Sequence, residues 1–300
     1  MALRFRKAHA QRRDWAPYVF IAPFYLVFVV FGVFPILFSL GVSVMDWRGI
    51  DPGAFIGLGN YLALFQDESF YRALWNTAVI WVGTVPPMIL AAVILAVLLN
   101  ERTTIFRSLF RTVYFLPVVT SLVITGLVFG QLFSQSFGLI NAVLARFGLA
   151  PVNWLAEPAT MKPILILAML WRWTGNDMVI MLAGLQSIPT ELFEAARVDG
   201  ASDTQIFFRI TLPLLRPVIL FDAIISTIGT FNLFAEPYAL FGGATGGVGQ
   251  AGLVTGTLLY QNAFVFARYG YGSALAWVLA VIVFVLSLLQ LRISDDAVEA

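Results

Sequence analysis

The sequence predicts an all-α membrane protein with six transmembrane helices. Three observations support this: composition, the lengths of the apolar runs and the placement of basic residues. Hydrophobic residues make up 60% of the 300 residues and charged residues 12%, whereas an ordinary soluble domain is about one quarter charged. A helix of about 20 apolar residues spans the hydrocarbon core of a bilayer. Six apolar runs approach or exceed this length: residues 15–45, 76–99, 113–133, 163–185, 217–234 and 272–291.

The basic residues predict which ends of these helices are cytoplasmic. Twelve Lys and Arg residues fall on the side of the amino terminus, five fall on the opposite side, and Arg172 falls within the fourth run. Cytoplasmic connections of membrane proteins carry the excess of Lys and Arg. We therefore expect both termini in the cytoplasm, with residues 1–14 as a basic tail, residues 15–292 as one membrane domain and residues 293–300 as a short second tail.

The first three runs are interpreted as retained spans. Residues 15–45 are too long for the apolar core of a secretory signal and lack its small-residue cleavage site, so this run is expected to stay as the first span. Pro86 and Pro87 are expected to kink the second span. The third span is expected over residues 113–133, where Ser121 could line a path or bond back to its own helix.

The connections on the outer side are predicted to be exposed loops, at residues 46–72, 134–161 and 242–256. The last of these is rich in glycine, but it lacks the Gly-Lys-Ser/Thr ending of a phosphate-binding loop. We therefore interpret it as a flexible outer loop rather than a nucleotide site.

Several kinds of chemistry are excluded by residue types that the sequence lacks. It contains no cysteine, which removes disulfides, thiolate metal sites and cysteine catalysis. The single histidine, His9, lies in the basic tail, so neither a histidine proton switch nor a Ser-His-acid triad is expected in the membrane. The sequence therefore predicts no enzyme activity, no metal site, no cofactor bound by this chain and no nucleic-acid partner.

The connection between the fourth and fifth spans, about residues 187–213, is predicted to form two short helices. Thr190 is a candidate cap for the first helix, and Gly200 suits the left-handed residue that ends it. Ser202 and Gln205 have the spacing of a capping box for the second helix. That second helix is expected to end at Pro213, which has no backbone donor.

This connection carries a motif that identifies a family. The pattern Glu-Ala-Ala, three residues, Gly, nine residues, Ile, one residue, Leu-Pro resembles the EAA loop of the membrane-spanning subunits of bacterial ATP-binding-cassette (ABC) importers. The chain most resembles the permeases of sugar importers, the maltose-permease-like class of binding-protein-dependent transport system inner membrane components. The resemblance implies the type I importer permease fold, with a cytoplasmic coupling loop that docks on an ATPase through Glu194, Ala195, Ala196, Asp199, Gly200, Ile210, Leu212 and Pro213.

The resemblance also implies the partners and the location. In the bacterial cytoplasmic (inner) membrane, the chain would pair with a second permease, two copies of an ATPase subunit that bind ATP and Mg²⁺, and an extracytoplasmic sugar-binding protein. A disaccharide or oligosaccharide would then cross by alternating access. Open alternatives for the loop and the chain are an amphipathic connector on the lipid surface, an ion-coupled secondary transporter, and an ABC permease for a non-sugar solute such as glycerol phosphate.

Polar side chains in the middle of the fourth span predict a substrate path, because they are costly in lipid and must face protein or water. Arg172 and Asp177 are expected to neutralise each other partly. Asn232 follows Phe231 as in the sugar-contacting pair of the resembled family, beside a predicted helix break. The predicted path comprises Ser121, Trp171, Trp173, Thr174, Gly175, Asn176, Asp177, Met178, Asn232, Glu236 and Tyr238.

Two structural interpretations of the same residues remain open. The polar segment of the fourth span could be a staple that holds helices together, and the residues after the fifth span could form an ordinary helix end. Asp222, an acid near the start of the fifth span, has no role that the sequence assigns.

Overall fold

A computed structural model describes residues 15–51, 53–100 and 106–299. The predicted basic tail, residues 1–14, lies outside the described residues. The helices follow in the order α1 (Ala16–Phe28), α2 (Phe34–Ser43), α3 (Gly59–Phe65), α4 (Glu68–Asn100), α5 (Arg107–Val119), α6 (Leu122–Leu132), α7 (Leu139–Arg146), α8 (Pro158–Gln186), α9 (Thr190–Val198), α10 (Asp203–Ile206), α11 (Leu212–Phe231), α12 (Ala235–Leu240), α13 (Thr255–Tyr260) and α14 (Tyr269–Glu299). Helix α14 therefore continues into the predicted second tail.

The predicted membrane spans form, with one of them broken. Among the residues that the structure describes, five helical stretches are long and apolar enough to cross a bilayer: Pro17–Ser43, Glu68–Asn100, Pro158–Gln186, Asp203–Phe231 and Tyr269–Ile293. The sixth is a bent pair, α5 and α6, whose axes differ by 97°. Counting this pair as one span gives the six predicted from the sequence.

The third span is thus not the continuous helix expected over residues 113–133. Helix α5 ends after Val119, and the next two residues, Thr120 and Ser121, are extended, with φ/ψ of −71°/148° and −61°/141°. The sequence offers Pro117 as a local cause of weakness, because proline withholds a backbone donor. The break is stabilised by a side chain from the fourth span, described below.

The second helix of the 187–213 connection does not end at Pro213, so that prediction is wrong. It is helical from Asp203 to Phe231, with a π turn at Phe207–Thr211 immediately before α11. The amide of Leu212 donates to the carbonyl of Phe207, so the hydrogen-bond register shifts by one residue just ahead of the proline. A π turn at Val29–Val33 precedes Pro35 in the same way. This wider turn accommodates a residue without an N–H.

Helices α4 and α8 pack along their lengths and form the centre of the bundle. At one end, residues of α4, α8 and α11, among them Met178, Met181 and Leu215, form a buried apolar cluster. Phe193 and Phe207 pack against this cluster from the connection between the fourth and fifth spans. The first span, by contrast, buries none of its most apolar window against the rest of the described chain.

Candidate functional site

The 187–213 loop folds as the helix-turn-helix that the sequence predicts. Gly200 has φ +79°, in the left-handed region that glycine adopts readily. The amide of Ala201 donates to the carbonyl of Ala196 at 2.9 Å, and the amide of Gly200 donates to that of Arg197 at 3.1 Å. These bonds close the carboxyl end of α9, as a glycine-terminated helix requires. Gly200 therefore has the predicted conformation.

The caps at the starts of the two short helices differ from each other. Thr190 is not the cap of α9: Pro189 occupies that position without a side-chain cap bond, and Thr190 is already helical. At α10, the Gln205 amide donates to Ser202 Oγ at 3.3 Å, and the Ser202 amide donates to Gln205 Oε1 at 2.8 Å. The capping box predicted from Ser202 and Gln205 is confirmed.

The 187–213 loop turns one face to the bundle and another to its surroundings. Its buried side is apolar, with Ile206 only 6% exposed. Its exposed side contains the acidic residues of the motif, Glu194 and Asp199, together with Ala195, Gly200 and Pro213, while Ala196, Ile210 and Leu212 are half-buried. The arrangement leaves a fixed, acidic ridge free for contact with another molecule.

Arg172 in α8 lies at the break of the third span. Its Nη1 is 3.1 Å from the carbonyl oxygen of Pro117, 2.6 Å from that of Thr120, and 3.1 Å from the hydroxyl of Thr125. Its Nη2 donates to the carbonyl oxygen of Val118 at 3.1 Å. The guanidinium therefore supplies donors to the carbonyls of Val118 and Thr120 at the end of α5, and it adds to the hydrogen bond that the Thr120 amide makes to Pro117.

The expected pairing of Arg172 with Asp177 is wrong. Arg172 Nε lies 4.0 Å from Glu236 Oε1 of α12, and both side chains are buried. Each residue turns an α-helix by about 100°, so side chains five positions apart leave the helix in well-separated directions. We call Arg172, its acceptors on residues 117–125 and Glu236 the arginine node.

Asp177 of α8 and Asp222 of α11 are both buried acids. Asp177 Oδ1 accepts from Asn176 Nδ2 at 3.3 Å. Asp177 Oδ2 and Asp222 Oδ2 have no hydrogen-bond partner among the residues that the structure describes, and the two residues are 2% and 1% exposed. Asp177 was predicted to lie on the path, whereas the sequence assigned no role to Asp222.

The predicted path residues differ widely in their exposure. Trp171, Asn232, Tyr238 and Ser121 are exposed, and Trp173, Thr174 and Asn176 are half-buried, whereas Gly175, Asp177, Met178 and Glu236 are buried. Gly175 is buried because α5 crosses α8 there, so closely that a Cβ would collide with the carbonyl oxygen of Tyr114. The predicted path residues therefore do not all lie at the surface in this conformation.

The region after the fifth span is broken, as predicted, and contains aromatic residues that the sequence analysis missed. Phe234 lies 5.1 Å from Tyr238 and 4.5 Å from Tyr260 between ring centroids, and Tyr260 lies 5.5 Å from Phe264. Tyr238 and Phe264 are exposed. Asn232 lies close by in sequence, at the edge of a cavity of about 520 Å³ between α11 and α14. We call Phe234, Tyr238, Tyr260 and Phe264 the aromatic row. The only hint of it in the sequence was that Tyr260 and Phe264 are one helical turn apart.

Comparison with known proteins gives a consistent result. A family model described as "Binding-protein-dependent transport system inner membrane component" matches residues 55–296. The arabinooligosaccharides transport system permease protein AraP of Bacillus subtilis (strain 168) is 39% identical over 284 residues, covering 94% of this chain and 89% of that protein. The lactose transport system permease protein LacF of Rhizobium radiobacter is 39% identical over 293 residues, covering 97% of each.

A solved structure shares the whole fold. A chain in the crystal structure of a bacterial alginate ABC transporter, in complex with alginate pentasaccharide-bound periplasmic protein, matches with a TM-score of 0.82 at 28% identity. The match covers 95% of this chain and 96% of that chain. The similarity therefore extends over nearly all the elements described above.

Proposed function

Because this chain belongs to the family of binding-protein-dependent transport system inner membrane components, we propose that it is the sugar-translocating permease subunit of an ABC importer. Its substrate would be a disaccharide or oligosaccharide, as the names of the related permeases suggest. The family membership leaves no reason to keep the ion-coupled secondary transporter as an alternative. The importer would also contain a second permease, two ATPase subunits that bind ATP and Mg²⁺, and an extracytoplasmic sugar-binding protein.

The observation that carries this proposal is the rigid, exposed 187–213 loop. Its apolar side, with Phe193 and Phe207, rests on the buried cluster of α4, α8 and α11, so a force applied to the loop acts directly on three spans. Glu194 is exposed on the opposite side, where it would pair with a basic residue of the ATPase. ATP-driven closure of the ATPase dimer would move the loop and, with it, the path between the spans.

The exposed aromatic and polar side chains near the ends of the third and fifth spans are of the types that bind sugars. Sugar rings stack their C–H faces on aromatic rings and use their hydroxyls as hydrogen-bond donors and acceptors, and binding sites combine apolar walls with a few placed polar groups. The exposed rings of Tyr238 and Phe264 offer the first kind of contact, and Asn232 and Ser121 offer the second. The non-sugar alternative, such as glycerol phosphate, receives no comparable support from these residues.

Purification of the full complex from its native membrane tests this proposal. We expect the tagged chain to bring down an ATPase and a second permease. In proteoliposomes, the matching binding protein loaded with one sugar should stimulate ATP hydrolysis and uptake of that sugar. An arabino-oligosaccharide, lactose and glycerol 3-phosphate form a suitable first panel. Undiminished uptake by this chain without any ATPase would contradict the proposal.

A further inference from the structure

The arginine node joins the third span, the fourth span and the short helix α12 that follows the fifth span. Arg172 comes from α8, the carbonyls of Pro117, Val118 and Thr120 come from the end of α5, and Glu236 comes from α12. Arg172 is 5% exposed and Glu236 3%. Both ionisable groups are thus removed from solvent and depend on each other and on the backbone.

The backbone at the break draws its donors from two sources: the amide and hydroxyl of Thr120, which both donate to the carbonyl oxygen of Pro117, and the guanidinium of Arg172. Water is absent from the hydrocarbon core, so irregular backbone persists there only where protein or a water-filled cavity satisfies it. The two Nη atoms of Arg172 donate to three carbonyls of the break, those of Pro117, Val118 and Thr120, and Thr125 at the start of α6 accepts from the same guanidinium at 3.1 Å. One side chain therefore spans both halves of the broken span and fixes the angle between them.

The third part of the arginine node is α12, which contacts both α6 and Arg172. Helix α6 lies directly on α12, where a Cβ placed on Gly126 would be 3.2 Å from the carbonyl oxygen of Glu236. Arg172 Nε lies 4.0 Å from Glu236 Oε1, and Arg172 Cζ lies 5.2 Å from the ring centroid of Trp173. In addition to this direct packing of α6 on α12, a single cation therefore links the break of the third span to the broken segment after the fifth span.

We propose that Arg172 is the positioning residue of the translocation path. It sets the bend of the third span so that Ser121 is exposed on the path side, and it holds Glu236 in the interior behind it. The inference builds on the proposed function, because it assumes that Ser121 and Glu236 border the path. It extends that function by naming a residue that controls the path without touching the solute.

Site-specific thiol labelling tests the proposal without any knowledge of the substrate. The chain has no cysteine, so S121C provides its single thiol at the break, and S136C, at an exposed position in an outer loop, provides a matched control. The rate of reaction of each with a small maleimide is measured in the complete complex in native membranes. Each thiol is combined in turn with R172M, R172K and E236Q.

We expect the labelling rate of S121C to change most in R172M, by about tenfold, because every hydrogen bond that Arg172 makes to the break is lost. The change should be about threefold in R172K, because an ammonium keeps the charge but cannot span the two Nη positions. E236Q should give the smallest change. The labelling rate of S136C should stay constant in all three.

Two outcomes would overturn the proposal. One is an unchanged S121C rate in all three variants. Another is a parallel loss of labelling at both positions, with no recovery in R172K compared with R172M, which is the behaviour of a residue needed only for folding. If R172M does not accumulate in the membrane, R172K and T125V carry the test, because T125V removes a single acceptor. The labelling result does not require transport, so it can fail while the importer function stands.

Discussion

The 187–213 loop and the arginine node show two ways in which this chain stabilises irregular backbone. The loop satisfies its helix ends locally, with bonds such as that between Ser202 and Gln205, three residues apart. The node satisfies a helix end with Arg172, whose acceptors lie 47 to 55 residues earlier in the chain. Surface segments can use water and neighbouring residues, whereas a break inside the membrane needs a donor from another span.

The difference should also appear in how much the free energy of unfolding falls when each kind of contact is removed. Removing a side-chain cap from an exposed helix costs about 1 kcal/mol. Removing one partner of a buried ion pair costs about 3–5 kcal/mol, because the other charge stays buried. Substitutions in the node should therefore affect the whole fold, whereas substitutions in the loop should act locally.

The largest effect is expected for Arg172→Met. The free energy of unfolding should fall by about 3–5 kcal/mol, because Glu236 would remain buried without its cation. Arg268→Met is the matched control: its guanidinium is exposed and lies 5.5 Å from the ring centroid of Phe266, so its loss should cost at most about 1 kcal/mol. Thermal unfolding of the purified complex measures both. Equal decreases in unfolding temperature for Arg172→Met and Arg268→Met would contradict the proposed difference between the arginine node and the surface.

An intermediate effect is expected for Gly200→Ala in the loop. A Cβ at Gly200 would meet no atom within 4 Å, so the cost comes only from its φ of +79° and should be about 1–2 kcal/mol. Gly229→Ala, which also has free space around the added methyl but lies within α11, should be neutral or stabilising by up to about 1 kcal/mol.

Amide hydrogen exchange over α9 and α10 distinguishes these two variants. Exchange should accelerate in Gly200→Ala and remain unchanged in Gly229→Ala. Accelerated exchange throughout α8 and α11 in Gly200→Ala would show that the loop is not locally stabilised.

A smaller effect is expected for Ser202→Ala, which removes one half of the capping box. The loss should be about 1 kcal/mol and confined to α10. Thr204→Ala, at an exposed position in the same helix, serves as the control. Faster exchange of the Gln205 amide in the first variant alone would support the cap, and equal exchange in both would argue against it.

The sequence predicted what local patterns determine and missed what distant residues determine. The spans follow from run length, and the turn at Gly200 and the Ser202–Gln205 box follow from residues within a few positions. The 97° break does not follow, because Pro117 alone leaves a kink and a full break equally possible. The partner of Arg172 could not be predicted either, since Glu236 lies on another element and Asp177 was the nearest acid along the same helix.

The helix that continues through Pro213 shows the same limit. Proline in a helix removes a donor, and the sequence therefore indicated an end. The π turn at Phe207–Thr211 shifts the register ahead of it instead, and no residue pattern in that segment marks a π turn. Tyr238 was predicted to lie on the path, but its contacts with Phe234 and Tyr260 were hidden, because they join two short helices on either side of the glycine-rich loop.

The central claim is that the 187–213 loop couples ATP hydrolysis in another subunit to movement of the spans, and Glu194→Ala tests it most directly. Glu194 and Glu191 are both exposed on α9, but only Glu194 belongs to the motif, so Glu191→Ala is the matched control. Neither substitution should alter stability by more than about 0.5 kcal/mol.

The measurement is the ratio of sugar uptake to ATP hydrolysis in proteoliposomes containing the complete importer. We expect Glu194→Ala to lower this ratio by about tenfold or more, as the loss of one charge-assisted hydrogen bond at the contact would do, and Glu191→Ala to leave it unchanged. An equal ratio in wild type and both variants would contradict the account.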